Sequence, residues 1–596
     1  MVNSTSALYG CYSPCSVLSN GSAKAGRVRC TASASPPTYV RARVSPPPPP
    51  QPQPMRRSGN YQPNSWDYKL IRSLKGGYLS ESQITQIEKL KEKVKQLMYK
   101  KDEPAAKLKL VDALQRLGIA YHFEKEIKNM VSSISIDDAK VAFEEDIFLM
   151  ALLFRSLREN GFSVSQDLLS GYKDIKGHIK PYLQKKDILG LLSLYEASYF
   201  GFEGERILDE ARIFTTKHLN ELKPYMDPNL KAEVVHALEL PLHWRPPRLE
   251  ARSYIEQYER DEDVELVVLQ LAKLDFNRVQ IIHQEELKRI SRWWRDVALA
   301  ENLSFARDRI IECFFTAAGV VFEPQLGHCR ESLAKVCTFI TVIDDVYDVY
   351  GTVDELVLFT SAVERWENDA VEGLPNYMKT LYSTLYNTTN EMACHMLREK
   401  GWDVLPYLKN AWHDLCKSFL VEAKWHHNGY KPTLREYLEN GWMSSSGNVI
   451  LLHAFALTGE KVAIETLRKS ENYQGLVRSS SSILRLCNDL ATYTAEREKG
   501  DAPSSIDCYM QEHDTNEEES REAVRDLIVE TWKKMNKDAY DRCRLPRSFT
   551  NSAMNLGRIS HCLYQNGDGI SAPNQEKKYQ INSLFLEPIL VKGTEN

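Results

Sequence analysis

The sequence predicts an all-α protein of two helical domains, and three observations support this. Apolar residues recur at three- and four-residue spacing nearly throughout residues 66–596, and one such stripe comprises Ile84, Ile87, Leu90, Val94 and Leu97. The alternation of apolar and polar residues that is typical of strands is scarce. With 596 residues, the chain is long enough for more than one domain and a large hydrophobic core.

Residues 1–55 differ in composition from the rest of the chain. They are rich in Ser, Ala, Thr and Pro, hold five basic residues and no acidic ones, and close in a proline-rich run at 46–54. A segment of this kind cannot form a packed element. It contains no compact apolar core of about 7–15 residues, so it is typical of an organelle transit peptide rather than a secretory signal. A disordered tail is the alternative.

The remainder of the chain divides at a break in the helical pattern. Helical stripes at 148–157 and 188–199 are followed by Pro241, Pro246 and Pro247, which interrupt the periodicity. An acidic stretch over 259–265 then precedes a long predicted helix over 266–294. We therefore predict an N-terminal helical domain at 56–264 and a C-terminal domain at 265–596.

Charge, hydropathy and cysteine spacing argue against several classes of protein. The net charge is −5, and because the first 55 residues hold only basic side chains, the rest is more acidic still, which makes it a poor nucleic-acid binder. No run of about 18 apolar residues is present, so no segment is expected to insert into a membrane. The 12 cysteines include no C-x-x-C pair, which argues against zinc and indicates free thiols in a reducing compartment.

The C-terminal domain is organised around the acidic end of a helix that we predict over 331–351, ending at Gly351. One stripe of this helix comprises Cys337, Thr341, Asp344, Asp345 and Asp348. Three carboxylates at one helix end are costly unless a cation binds there. Such oxygen ligands suit Mg²⁺, which takes one or two protein carboxylates together with phosphate oxygens and water. A solvated acidic helix end is the alternative.

A second polar stripe lies on a helix that we predict over 484–499, ending at Gly500. It comprises Arg485, Asn488, Thr492, Glu496 and Lys499. An amide, a hydroxyl and a carboxylate in successive turns can reach one cation, and the two basic residues flank them as anion-binding groups. The alternative is a polar face with incidental charge pairs.

Two arginines precede an aromatic-rich stretch. Arg307 and Arg309 lie in the run 305–309, which we predict to open a helix that continues through Cys313, Phe314 and Phe315. Paired guanidinium groups can clamp a phosphate bidentately. Together with the two metal stripes, they predict a diphosphate site above an apolar cavity.

The ordered set of motifs resembles the plant class I terpene synthases. The chain has D-D-V-Y-D at 344–348, N-D-x-x-T-x-x-x-E at 488–496 and R-D-R at 307–309. Arg56, Arg57 and Trp66 match the N-terminal signature of the monoterpene synthase branch. Similarity also runs through 195–198, 242–245 and 568–569, so it covers essentially all of 56–596.

The resemblance implies a C-terminal catalytic helical bundle and an N-terminal α-barrel-like relic domain. The relic lacks a D-x-D-D acid motif, so cyclisation started by protonation is not expected. Three Mg²⁺ ions, or Mn²⁺ in their place, would be bound with Asp345 in support by Asp344, Asp348, Asn488, Thr492 and Glu496. The diphosphate would be held by Arg307, Arg309, Arg485 and Lys499, and a loop near Asp568 would close as a lid.

The implied function is a monoterpene synthase. It would ionise geranyl diphosphate, isomerise and cyclise the cation, and release diphosphate. The alternatives are a sesquiterpene synthase acting on farnesyl diphosphate and an acyclic monoterpene alcohol synthase. A chain-elongating prenyltransferase would show a second D-D-x-x-D, which the sequence lacks. A non-enzymatic helical scaffold would leave both metal stripes unexplained.

The family also bears on the pocket and on the state of the protein. Thr316 stands where many relatives carry Trp, and Ile570 replaces an aromatic residue or His, unless rings such as Phe314 or Tyr564 fill the space. Cys337 is expected beside Thr316 in the cavity wall. Arg56 and Arg57 are expected to fold over the active-site mouth and assist cyclisation. We also expect a monomer that acts in the plastid stroma.

Overall fold

The computed structural model describes residues 56–74, 80–177, 185–458, 470–500, 503–540 and 545–591. The predicted transit peptide at 1–55 lies outside the described residues. Met55–Asn596 form one compact unit. Within the described ranges the regular structure is helical and contains no strand, which confirms the all-α prediction.

The N-terminal half consists of short and medium-length helices. In chain order α1 to α10 are Tyr68–Ser73, Glu81–Lys100, Pro104–Arg116, Glu124–Ser132, Ile136–Ala142, Ile147–Glu159, Lys185–Ser198, Arg206–Leu222, Pro228–Glu239 and Pro247–Tyr258. The predicted stripe lies on α2, where Ile87, Leu90 and Val94 are buried while Ile84 is exposed. As predicted, prolines lie between α9 and α10, and Pro247 is the first residue of α10. Pro is tolerated there because the N–H that it lacks would have no partner within the helix.

The C-terminal half holds the longest helices. In order α11 to α24 are Leu266–Val297, Leu299–Asn302, Ile310–Val320, Gly327–Asp345, Val353–Arg365, Asn376–Lys400, Leu405–Asn428, Leu434–Ser444, Gly447–Thr458, Glu471–Lys499, Ser505–His513, Glu517–Tyr540, Arg547–Tyr564 and Gln575–Phe585. The acidic stretch at 259–265 is the turn between α10 and α11. The predicted domain boundary near residue 264 falls in this turn and stays a prediction.

Three helix boundaries differ from the prediction. The first metal helix, α14, begins at Gly327 and gives way after Asp345 to a π-helical turn, Val346–Tyr350. Gly351 ends it as predicted, because its backbone is extended, with φ of −76° and ψ of 144°. A Cβ there would lie 2.9 Å from the carbonyl oxygen of Val346, so the position favours glycine. The second metal helix, α20, begins at Glu471, well before residue 484, and ends at Gly500 with φ of 72°.

The third difference concerns the arginine pair. Helix α13 begins at Ile310, so residues 305–309 are a turn that leads into the helix rather than its first residues. The backbone N–H of Arg307 is used instead in a hydrogen bond to Asp345. The two arginines are therefore fixed by tertiary contacts.

The described residues bear on two further expectations. No described helix combines the length and the apolar content that crossing a membrane requires. Eight cysteines are described, and all are free thiols, most of them buried. Their positions are those expected for small apolar core residues.

Candidate active site

One cavity in the C-terminal half brings together the elements that carry the three motifs. Helices α13, α14, α20 and α23 line it, together with residues 444–446 and the loop at 568–571. It encloses about 850 Å³ of empty space, counting its open mouth.

The predicted site residues divide into two groups around this cavity. Those that line it are Arg307, Thr316, Cys337, Asp344, Arg485, Asn488 and Asp568. Those that the structure describes but places outside the lining are Arg56, Arg57, Arg309, Asp345, Asp348, Thr492, Glu496 and Lys499. The first group contains members of all three motifs, so the fold brings together at one cavity residues that are far apart in the sequence.

The three carboxylates of the first metal helix do not converge as the stripe predicted. Asp344 faces the cavity, Asp345 is fully buried, and Asp348 is exposed on the π-helical turn. Successive residues on a helix are about 100° apart, so Asp344 and Asp345 cannot point the same way. Among the described residues, no group of three His, Cys, Asp or Glu side chains is close enough to hold a metal.

Asp345 orients Arg307 from inside the protein. Its Oδ2 accepts a hydrogen bond from the backbone N–H of Arg307 at 2.7 Å, and its Oδ1 lies 2.8 Å from Nε of the same residue. The Arg307 Nη2 reaches Asp344 Oδ2 at 2.5 Å. Arg307 is thus held between two neighbouring carboxylates.

The electrostatics of this group follow from its burial. Burial opposes the charge of Arg307, but the carboxylates of Asp345 and Asp344 outweigh it and raise the pKa of the guanidinium. Burial likewise raises the pKa of Asp345, the Arg307 charge opposes that rise, and Asp344 adds to it. The charged form of the Arg307 guanidinium and that of the Asp345 carboxylate therefore stabilise each other inside the protein.

The second metal helix also turns one of two neighbouring polar residues inward. Asn488 lines the cavity, and Thr492, one turn later, donates its hydroxyl hydrogen to the Asn488 carbonyl at 2.9 Å. The adjacent Asp489 is buried. Its carboxylate accepts from the hydroxyl of Tyr437 at 2.8 Å and from the backbone N–H of Ser505 at 3.1 Å, which anchors the start of α21.

Arg485 has its own buried partners. Its Nη2 lies 2.8 Å from Glu422 Oε1, and its guanidinium carbon lies 5.3 Å from the centre of the Tyr437 ring. Glu422 and Tyr437 could not be predicted from the motif, because they come from α17 and α18 and share no spacing with it. Asp489 was not predicted to be an anchor either, although its place on the apolar side of an amphipathic helix indicates burial.

The two arginines of the third motif hold the loop that was predicted to act as a lid. Arg309 donates to the carbonyls of Ile570 at 2.8 Å and Ser571 at 3.0 Å. Arg307 Nη1 donates to the Ser571 hydroxyl at 2.6 Å. Asp568 turns the loop by accepting from the N–H groups of Ile570 and Ser571, each at 2.9 Å.

The N-terminal arginine pair contacts the end of the first metal helix. Arg56 Nη2 lies 2.8 Å from Glu355 Oε1, and Nη1 donates to the Tyr350 carbonyl at 2.9 Å. Arg57 donates to the Asp348 carbonyl at 3.2 Å. Burial would raise the pKa of Glu355, but the hydrogen bond from Arg56 lowers it to about 2.

The cavity wall mixes serine and threonine side chains with aliphatic and aromatic ones. Thr316 and Cys337 both line it, as does Tyr564, whereas Phe314 packs against Phe585 with ring centres 5.2 Å apart. Six lining hydroxyls donate their hydrogens within the protein, and these belong to Thr316, Thr341, Ser444, Ser445, Ser446 and Ser560. Their oxygen lone pairs remain available as acceptors.

The donor set fits a hard divalent cation. Carboxylate, amide and hydroxyl oxygens lie on two helices whose members Asp344 and Asn488 line the same cavity. Mg²⁺ takes one or two protein carboxylates, with water and substrate oxygens completing its shell.

Two family models match the chain. Residues 65–238 match the one described as the terpene synthase N-terminal domain. Residues 295–534 match the one described as the metal binding domain of the terpene synthase family. The second range contains all three motifs of the cavity.

Similar proteins extend along most of the chain. A chloroplastic geraniol synthase from Cinnamomum tenuipile is 47% identical over 540 residues, which are 90% of this chain and 89% of that protein. A chloroplastic α-thujene synthase from Litsea cubeba is 48% identical over 94% of each chain. These two names differ in product at nearly equal identity.

Solved structures are similar over the same extent. A limonene synthase with 2-fluorolinalyl diphosphate has a TM-score of 0.86 at 40% identity and covers 90% of this chain and 100% of that one. Isoprene synthase from grey poplar, in complex with three Mg²⁺ ions and dimethylallyl-S-thiolodiphosphate, has a TM-score of 0.79 at 44% identity. It covers 88% of this chain and 99% of that one.

Proposed function

The chain belongs to the terpene synthase family, and from this membership we propose that it is a monoterpene synthase that ionises geranyl diphosphate and releases diphosphate. The observation that carries the proposal is the joining of three motifs in one cavity. Asp344, Asn488, Arg307 and Arg485 all line it. Such a site can hold a metal-bound diphosphate at its mouth and a hydrocarbon chain against its inner wall.

The enzyme uses a divalent metal ion. We assign three Mg²⁺ ions, or Mn²⁺ as a substitute, to the two metal helices, where the ligands would be Asp344, Asp348, Asn488, Thr492 and Glu496. When bound, these ions neutralise the negative charge that develops on the diphosphate as its C–O bond breaks. Arg307, in the turn before α13, and Arg485, on α20, add fixed positive charge to the cavity wall. We assign Lys499 and Arg309 to the same diphosphate site, where Arg309 binds the carbonyls of the loop at 570–571.

Residues around the mouth protect the cation from water. Arg307 and Arg309 fix residues 570 and 571 of the loop that Asp568 turns, which closes one side of the cavity. Exclusion of water strengthens every charge interaction inside and keeps a reactive cation from premature capture. Asp345 orients Arg307 for both tasks.

We assign the N-terminal arginines to the isomerisation that precedes cyclisation. The trans C2–C3 bond of geranyl diphosphate prevents closure of a six-membered ring, so the diphosphate must first migrate to the tertiary carbon. Arg56 and Arg57 hold the π-helical turn that carries Asp348, which keeps the mouth closed during that step. A protein that starts at Ser58 should lose most activity on geranyl diphosphate and keep cyclisation of linalyl diphosphate. Equal loss on both substrates would contradict this role.

The hydroxyl-lined wall favours capture of water as a second candidate outcome. A water that donates both hydrogens to acceptor oxygens such as those of Thr316 and Ser560 turns its own lone pair toward the cation. The water oxygen then bonds to the carbon, and its proton leaves with the diphosphate, giving an alcohol. Mass spectrometry of products made in ¹⁸O-labelled water tests this, since unlabelled hydrocarbons alone would rule it out.

The substrate assignment is tested by product analysis. Purified protein with Mg²⁺ is offered geranyl or farnesyl diphosphate, and the volatile products are separated by gas chromatography. We expect C10 products from geranyl diphosphate and little turnover of farnesyl diphosphate. The reverse preference would favour the sesquiterpene synthase reading.

The relatives named as chloroplastic support plastid localisation of this protein. We assign it to the stroma and expect a monomer. A fusion of residues 1–55 to a fluorescent protein should enter chloroplasts, and sedimentation should give a mass near 68.4 kDa for the full chain. Retention of the fusion in the cytosol would contradict the localisation.

A further inference from the structure

Tyr61 lies against two cations of the proposed diphosphate site. The guanidinium carbon of Arg307 is 4.8 Å from the centre of its ring, and the ammonium nitrogen of Lys499 is 5.6 Å from it. Both distances are within the range of cation–π attraction. Arg307 lines the cavity, and the Tyr61 ring packs against its guanidinium although Tyr61 is not itself a lining residue.

The backbone before Tyr61 is built to place this ring. Asn60 has a φ of 47°, in the left-handed region that Asn tolerates better than most residues, and its N–H donates to the Ser58 hydroxyl at 3.3 Å. A Cβ on Gly59 would lie 2.4 Å from Cε2 of Tyr61. Any side chain at position 59 would therefore push the ring away from its place.

Anchors on both sides fix the segment that carries the ring. Arg56 pairs with Glu355 before it. After it, the Gln62 carbonyl accepts from Arg309 at 2.7 Å, and the Trp66 indole N–H donates to Glu312 at 2.8 Å. The ring thus belongs to a strap that is tied at three points to the C-terminal helices.

The phenol group is in contact with the buried acid of the first metal helix. Burial raises the pKa of Tyr61, the Arg307 charge opposes the rise, and the carboxylates of Asp345 and Asp344 add to it. The hydroxyl therefore stays protonated and is available as a hydrogen-bond donor to Asp345. The Tyr61 ring therefore packs against Arg307, and the Tyr61 hydroxyl contacts Asp345, the buried partner of that arginine.

We propose that Tyr61 is a positioning residue of the diphosphate site, which covers the buried guanidinium of Arg307. The ring keeps water from this cation, so its charge is less screened and acts more strongly on the diphosphate. The proposal rests on the proposed function in one respect, since it takes the diphosphate to bind at Arg307.

The test measures binding of inorganic diphosphate with Mg²⁺ to the full chain by titration calorimetry. We expect Tyr61→Ala to weaken binding about tenfold and Tyr61→Phe about threefold or less, because Phe keeps the ring. Gly59→Ala should resemble Tyr61→Ala although the ring is retained. Tyr68→Phe is the matched control and should bind within about twofold of the wild type, since the Tyr68 hydroxyl contacts Asp308 instead.

A second measurement distinguishes shielding of Arg307 by Tyr61 from a purely structural role of Tyr61. In Tyr61→Ala the Arg307 guanidinium becomes exposed, so the affinity for diphosphate should fall more steeply with added KCl than in the wild type. Unchanged affinity and an unchanged salt dependence in Tyr61→Ala would overturn the proposal. Tighter binding would overturn it as well, because the ring would then compete with the diphosphate.

These outcomes are distinct from failure of the proposed function. If the wild type itself does not bind diphosphate with Mg²⁺, the proposed function fails, and the assignment of Tyr61 falls with it. If the wild type binds and the variants do not differ from it, only the assignment of Tyr61 fails. Circular dichroism of each variant confirms that the helices are intact.

Discussion

The two metal helices each place one polar residue in the cavity and bury the next one, but the buried residues have different partners. Each carries two adjacent polar residues, Asp344 and Asp345 on α14 and Asn488 and Asp489 on α20. In both pairs the first residue lines the cavity and the second is buried. The rotation of about 100° between successive helical residues accounts for this shared division.

The buried members differ in what they hold. Asp345 binds the backbone and the side chain of Arg307, a charged group that itself faces the cavity. Asp489 accepts from the Tyr437 hydroxyl and the Ser505 N–H, and its Oδ1 lies 3.5 Å from Nε of Arg485. The buried acid of α14 therefore binds both the backbone and the side chain of an arginine that faces the cavity, whereas the buried acid of α20 combines a longer contact to such an arginine with hydrogen bonds that join neighbouring helices.

The largest effect should come from removing one carboxylate from each metal helix. Asp344→Ala and Glu496→Ala should each lower kcat by about 10³-fold, because each removes a ligand for a charge that stabilises the departing diphosphate. The fold should persist, since no core packing is lost. Steady-state kinetics and circular dichroism check this, with the exposed Glu498→Ala as control.

Full activity in either variant, or activity that persists in excess EDTA, would contradict the metal assignment. Loss of activity in only one of the two variants would show that the two helices do not contribute equally to metal binding. It would leave the other stripe as a polar face without a metal.

The buried acids should differ in their effect on stability. Asp345→Asn leaves Arg307 without its buried ionic partner and should cost about 3 kcal/mol of unfolding free energy. Asp489→Asn keeps a hydrogen-bond acceptor for Tyr437 and should cost about 1 kcal/mol. Denaturant unfolding of both variants measures the difference, and equal losses would show that the two anchors are equivalent.

Substitutions in the shared wall should change the products more than the stability. Cys337→Phe adds bulk on the side of α14 and Thr316→Trp on the side of α13, and both side chains face the cavity. We expect a redistribution of products with kcat within about tenfold of the wild type, since the diphosphate contacts remain. Gas chromatography reads the profile. An unaltered profile in both variants would remove these residues from the substrate-facing wall.

The smallest effect concerns the ionic anchor beyond the first metal helix. The pKa of Glu355 is lowered to about 2, so its pairing with Arg56 stabilises the fold fully above about pH 4.5. That contribution, about 1 kcal/mol after solvent screening, is lost as the pH falls from about 4.5 to about 2. Thermal unfolding of the wild type and Glu355→Gln should differ at pH 6 and converge toward pH 3. A constant difference would contradict the pairing.

The helices and most of their ends followed from local pattern. Gly351 and Gly500 were read as stops, and both end their helices in the structure. The start of α20 was placed too late, because Ser479 to Ser482 interrupt the apolar stripe that marks a helix. The run at 305–309 was read as helical, but Asp345 takes the backbone N–H of Arg307 and sets that turn by a contact across 38 positions.

The sequence by itself determined the fold class, the two metal stripes and the family, because helical periodicity and motif spacing are local properties of a chain. The tertiary structure decided which stripe members face the cavity, and that Arg309 and Arg56 bind backbone rather than the cavity. Arg56 also pairs with the Glu355 side chain. The tertiary structure also brought Glu422, Tyr437 and Tyr61 to the site. These contacts join residues far apart in sequence, and burial and charge pairing fix them only when the helices pack.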